Sequence, residues 1–201
     1  IGKGLALNRR SADANLLMGL LQAERGNRVA ADAHLARAVK LDGDNADYRK
    51  ALARHLLAGS DPSKARASLS WLTRNAADEA DRAYATAMLA LLDRDSTRML
   101  QEVRRAEKLR PGGYDDAIEQ AALMLHERKR YADARALLGL LLARPAPSAE
   151  VLLVAARTAS RLGQSREAES LLRRSLKAQP ASSEAWFQLG RVLSERGDVS
   201  G

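Results

Sequence analysis

Three histidines, His34, His55 and His126, are the side chains in this chain best suited to metal or proton chemistry. A zinc centre needs three or four nitrogen, sulfur or oxygen ligands converging on one point, and a helix supplies a pair of them at i and i+4. None of the three has such a partner, so the spacing predicts lone surface or packing histidines and no metal. The chain has no cysteine, which removes disulfides, thiolate ligands and thiol nucleophiles. Gly59-Ser60-Asp61-Pro62-Ser63-Lys64 superficially resembles a phosphate loop, but the strand before it, the glycine spacing and the Gly-Lys-Ser/Thr ending are missing. Glu102 and Glu107 sit among Arg104, Arg105 and Lys108, the arrangement of solvent-facing helical ion pairs. With no nucleophile beside a recognisable base, the sequence predicts a module that is not an enzyme and needs no cofactor.

One set of acids is regular. Asp13, Asp47, Asp81, Asp116, Glu150 and Glu184 recur in steps of 34, with a single step of 35 across Pro111-Gly112-Gly113. Converging carboxylates would make a metal or acid–base row. A carboxylate in the first turn of a helix has a simpler role, because it faces the positive end of the helix dipole and contributes about 0.3–1 kcal/mol. Packed helices lie about 10 Å apart, too far for successive acids to share an ion. The acids are therefore read as helix starts.

The elements that position them follow from the same period. Copies beginning at Ala12, Ala46, Ala80, Asp115, Ala149 and Ser183 align. Their eighth positions, Gly19, Ala53, Ala87, Ala122, Ala156 and Gly190, are all small, as two helices in close approach require. Position twenty reads Ala31, Ala65, Met99, Ala134 and Ala168, and four residues later come Leu35, Leu69, Val103, Leu138 and Leu172. That is one apolar stripe of a second helix. Turn formers separate the two helices: Gly26-Asn27, Ser60-Asp61-Pro62, Asp93-Arg94-Asp95, Gly163-Gln164-Ser165 and Gly197-Asp198.

Composition agrees. The 201 residues are 46% hydrophobic but only 3% aromatic, so the apolar mass is Ala and Leu, strong helix formers that pack closely. Period-two runs of β-branched residues are missing, which excludes a sheet. No stretch approaches 18 uninterrupted apolar residues, so a helical membrane span is excluded. The net charge of +8 raises the question of nucleic acid, but seven scattered aromatics build no stacking platform and no groove-reading motif appears. The basic residues are read as solvated helix faces.

The pattern resembles the tetratricopeptide repeat family. The last copy carries it as Glu184-Ala185-Trp186-Phe187-Gln188-Leu189-Gly190 followed by Gly197, the first offers Gly19, Gly26, Ala31, Leu35 and Ala38, and the fifth ends in Lys177-Ala178-Gln179-Pro180. The third copy fits least, with Thr86 and Met99 where the family has Leu and Ala. The resemblance implies an all-α, right-handed solenoid of antiparallel helix pairs: repeats at 12–45, 46–79, 80–114, 115–148, 149–182 and 183–201, the last holding only its first helix. Residues 1–11 read as the second helix of a preceding repeat, so the sequence is expected to be an excerpt of a longer array.

In this family the first helices line a concave groove, and the resemblance places Lys50, Arg54, Tyr84, Met88, Leu123, His126, Leu153, Arg157, Arg161, Phe187 and Arg191 on it. Such a mixture suits a peptide or partner subunit with apolar anchors and acidic side chains. The Lys and Asn of the family's chaperone-tail clamp are replaced by Leu16 and Leu20 in the first copy, so that specific role is not expected. The leading expectation is a bacterial protein-interaction scaffold within a pilus, secretion or polysaccharide-export assembly, in either the cytoplasm or the periplasm. Two others stand beside it: the non-catalytic arm of a larger transferase or hydroxylase, and self-association through an uncapped end formed by Trp186, Leu189 and Leu193.

Overall fold

Eleven α-helices and one 3-10 turn, with no strand, make up the described part of the computed structural model, residues 11–59, 61–195 and 197. The elements are α1 (Ala12–Glu24), α2 (Arg28–Leu41), α3 (Ala46–Leu57), a 3-10 turn (Pro62–Ala65), α4 (Arg66–Asn75), α5 (Glu79–Leu92), α6 (Ser96–Leu109), α7 (Asp115–Glu127), α8 (Tyr131–Leu142), α9 (Ala149–Arg161), α10 (Ser165–Ala178) and α11 (Ser183–Glu195). Odd-numbered helices are the first of each pair and even-numbered ones the second. The segment expected to be a helix within residues 1–11, and residues 198–201, lie outside the described residues apart from Ser11.

Local chemistry sets the boundaries. Ser11, Asn45, Asp78 and Ser148 precede α1, α3, α5 and α9, and each side-chain oxygen accepts a backbone N–H of the first turn. The regular acids sit just inside, so cap and dipole partner are separate residues. Four glycines end helices in the left-handed region: Gly26 (φ 76°), Gly112 (73°), Gly163 (75°) and Gly197 (80°). Arg94 and Lys129 occupy the same turn position as Gly26 and Gly163, at φ of 61° and 60°.

The chain divides into two compact units, residues 1–114 and 115–201. In the first, α1 packs on α2, α3 on α2 and α4, and α5 on α4 and α6. Ala31, Leu35, Ala65, Leu69, Met88 and Met99 are fully buried. A Cβ built on Gly19 would stand 2.6 Å from Leu35 Cγ, which is why the eighth position is small here. The third pair, least regular in sequence, is held by a polar hub. Asp81, 5% exposed, receives Lys50 Nζ at 2.9 Å, Arg110 Nη1 at 3.1 Å and the Tyr114 hydroxyl at 2.7 Å. The extra residue of Pro111-Gly112-Gly113 delivers Tyr114 to this hub, where it stacks on Tyr84 at 4.8 Å between ring centroids.

In the second unit α9 lies between α7 and α11 and also packs against α8 and α10. Ile118, Leu125, Leu137, Leu138, Leu172 and Val192 form its core. Arg144 clasps Asp115 at the start of α7 through Nε and Nη2, at 3.1 and 2.6 Å, a bidentate pair that returns the end of the α8 region to its own first helix.

Candidate interaction face

The residues expected on one groove fall into two groups. In the first unit Met88 is fully buried and Tyr84 is 7% exposed, because the stacked Tyr84–Tyr114 pair and the Asp81 hub draw this part of α5 into the interior. Burial pushes the Tyr84 hydroxyl up to about 12. Lys50 is held between Asp47 at 2.8 Å and Asp81 at 2.9 Å. Burial alone would lower its ammonium, but the two carboxylates outweigh that and leave it above its ordinary value. Arg54 is exposed and has no ion pair among the described residues.

In the second unit the residues come together on α7, α9 and α11. Helical spacing puts Glu119, Leu123 and His126 on one side of α7, Leu153, Arg157, Ser160 and Arg161 on α9, and Phe187 with Arg191 on α11. Two contacts register the helices. His126 Nδ1 lies 2.9 Å from Thr158 Oγ1, and Arg191 Nη2 donates to Ser160 Oγ at 3.3 Å. The Thr158 hydroxyl is itself committed to the Val154 carbonyl at 2.8 Å, so its oxygen accepts and His126 carries its proton on Nδ1.

Exposure differs across this face. Phe187 is 67% exposed and Arg161 exposed; Leu123, Arg157 and Arg191 are half-buried; Leu153 and His126, at 6% and 7%, form the floor. Arg157 and Arg161 have no acidic partner among the described residues, whereas Arg130, Arg135, Arg144 and Arg173 of the same unit are each paired to a carboxylate. Burial first, then the charges of Arg157 and Arg161, hold the His126 imidazole below its ordinary value, so the floor is neutral beneath two free guanidinium groups.

Sequence reasoning missed the opposite edge. Asp116 and Glu150 are exposed, Glu119 is half-buried, and none has a cationic partner among the described residues. Burial, then Glu150 and Asp116, raise the Glu119 carboxyl above its usual range. The signal is present in the sequence, because α7 carries four acids and no Lys or Arg, of which only Asp116 belongs to the regular row of helix starts. Of the expected end face, Trp186 is 57% exposed, whereas Leu189 is buried against its own unit and Leu193 is half-buried. Among the described residues no three His, Asp or Glu side chains are grouped to hold a metal ion, and no helix is long and apolar enough to cross a membrane.

Residues 149–192, spanning α9, α10 and most of α11, match the family model for the tetratricopeptide repeat. The whole fold matches solved repeat proteins. A tetratricopeptide protein of Thermus thermophilus, TTC0263, superposes with a TM-score of 0.65 at 18% identity over 92% of this chain and 100% of its own. At these identities the likeness is one of fold, and the family model itself matches only residues 149–192. PilW, a type IV pilus biogenesis factor, gives a TM-score of 0.64 at 15% identity over 94% of this chain and 87% of its own. Pseudomonas aeruginosa pilF gives 0.54 at 19% identity over 94% and 87%. No curated protein sequence matches the chain. Close pairing of helices accounts for the small eighth position at Gly19 and for the buried position-twenty residues, and α7, α9 and α11 are the first helices of successive pairs.

Proposed function

We propose that this chain is a protein-interaction scaffold and that the face formed by α7, α9 and α11 holds a segment of a partner polypeptide. The observation that carries the reading is the pair Arg157 and Arg161: two guanidinium groups one helical turn apart, without carboxylate partners among the described residues, with the exposed Phe187 on the neighbouring helix α11. Folding for stability alone would pair such charges, as it does for Arg130, Arg135 and Arg144. Here they flank the half-buried Leu123 and the buried Leu153, the composition of a surface that anchors apolar side chains and grips carboxylates. The architecture supports it, since successive first helices present a continuous surface to a ligand. The likeness to PilW supports a place in a bacterial envelope assembly, as a subunit that docks another component.

The test is binding of acidic, Leu-containing peptides, measured by fluorescence anisotropy against the unmodified chain and against Arg157→Glu with Arg161→Glu. Saturable binding lost in the double variant is the expected result, with helicity unchanged. The unmodified chain offers a second readout. Neutralising the two guanidinium groups removes a cause that lowers the His126 imidazole, so its NMR titration moves to higher pH when ligand is bound. Equal affinity for both proteins sinks the reading.

A further inference from the structure

The second unit's face is electrically polar from edge to edge. Asp116, Glu119 and Glu150 lie at the N-terminal ends of α7 and α9; Arg157 and Arg161 lie toward the C-terminal end of α9, and Arg191 beside them on α11. At about 1.5 Å of rise per residue, Glu150 stands roughly 10 Å along the axis from Arg157 and roughly 16 Å from Arg161. Arg191 has Glu195 of its own helix at 3.9 Å, but Arg157, Arg161 and the three acids have no oppositely charged partner within the described residues. Like charges left together and opposite charges held apart on one face are a local conflict that folding does not resolve.

Resting on the interaction reading above, we infer that the segment held on this face is an amphipathic helix with a basic flank and an acidic flank, and that the polarity of the face fixes the direction in which it docks. The width decides for a helix: the gap between the charged edges matches a helix about 10–12 Å across, whereas a single extended strand would span less than half of it. Charge decides for mixed flanks. The three helices of this face carry three Arg against seven Asp and Glu, so a uniformly acidic ligand would meet repulsion along one whole edge. Direction follows from geometry. A helix lying with its apolar stripe on Leu123, Leu153 and Phe187 exchanges its left and right flanks when it is reversed end for end. Only one of the two orientations then puts acid on the arginines and base on the carboxylates.

Three synthetic helical peptides with one common Leu stripe test this on the full chain: one with Glu on one flank and Lys on the other, one with Glu on both, one with Lys on both. At low salt the mixed peptide is expected to bind roughly tenfold more tightly than either uniform one, from two or three ion pairs of modest strength each. In Glu119→Lys with Glu150→Lys the preference passes to the all-Glu peptide. Should that variant lose helicity, Glu119→Gln with Glu150→Gln is expected to abolish the preference without inverting it. A spin label at one end of the mixed peptide broadens resonances at a single end of the face. An all-Glu peptide bound as tightly as the mixed one, a ranking indifferent to the Glu119 and Glu150 changes, or broadening at both ends overturns the inference while leaving the scaffold reading standing. Failure of all three peptides to bind overturns both.

Discussion

Arg94 and Lys129 adopt a backbone conformation that costs an L-residue about 1 kcal/mol, in turns where Gly26 and Gly163 adopt it freely. Lys129→Gly is therefore expected to raise stability by up to about 1 kcal/mol, read as a higher midpoint in urea; a lower midpoint would show that the Lys129 side chain contributes more than its backbone costs. Glycines in helices behave oppositely at two equivalent positions. Gly19→Ala drives a methyl into Leu35 and is expected to cost about 1–3 kcal/mol. Gly190→Ala meets nothing within 4 Å and should gain up to about 1 kcal/mol of helix propensity. His126 adds a pH term. Its folded-state value lies below its ordinary one, so the neutral ring contributes stability that is fully present above about pH 6.5 and is lost as pH falls through the folded value. Thermal melts between pH 7.5 and 5 should show this loss in the unmodified chain and a shallower one in His126→Gln; identical slopes would refute it.

Among the elements, the third helix pair shows where a weak sequence pattern conceals a strong structural device. Met99 fills the place of a small residue and is fully buried, and Thr86 turns its hydroxyl to the Arg82 carbonyl at 2.8 Å. What joins α3, α5 and the loop after α6 is Asp81, which stands in the column of helix-start acids yet is the one buried among them. The column was legible because charge at a helix start needs only sequence neighbours. The hub was not, because it depends on Lys50, Arg110 and Tyr114, 29 to 33 residues away, converging on one carboxylate. Removing that carboxylate leaves Tyr114 and two cations short of a buried partner. Asp81→Ala is expected to cost about 3 kcal/mol in chemical denaturation, against less than about 1 kcal/mol for the exposed Asp47→Ala. Equal costs would show that the hub contributes nothing beyond a surface pair.

At the scale of the molecule, charge is sorted by helix layer. The second helices, α2, α4, α6, α8 and α10, hold 14 Lys and Arg against six Asp and Glu, while the first helices are net acidic. The basic balance of the chain thus describes the second helices and says little about the candidate face. Because each repeat is stabilised by itself and its neighbours, a local defect should stay local. Hydrogen exchange in Gly19→Ala is expected to quicken in α1 and α2 and to leave α9 and α10 unchanged; uniform acceleration would show one global unfolding unit.

The sequence by itself determined the helical repeat and the place of the small and large columns, since these depend on spacings along one chain and on packing rules common to all such pairs. It also marked Arg157 and Arg161 of α9, which have no acidic partner among the described residues. Only the tertiary structure decided which members of the expected groove are accessible. Tyr84, Met88, His126 and Leu153 occupy positions equivalent to exposed ones in a regular array, but a stacked ring, a buried carboxylate, a threonine hydroxyl and close-packed neighbours take them inside. The same packing set the unpaired acids of α7 against the arginines of α9, an electrostatic relation that no spacing in the sequence expresses.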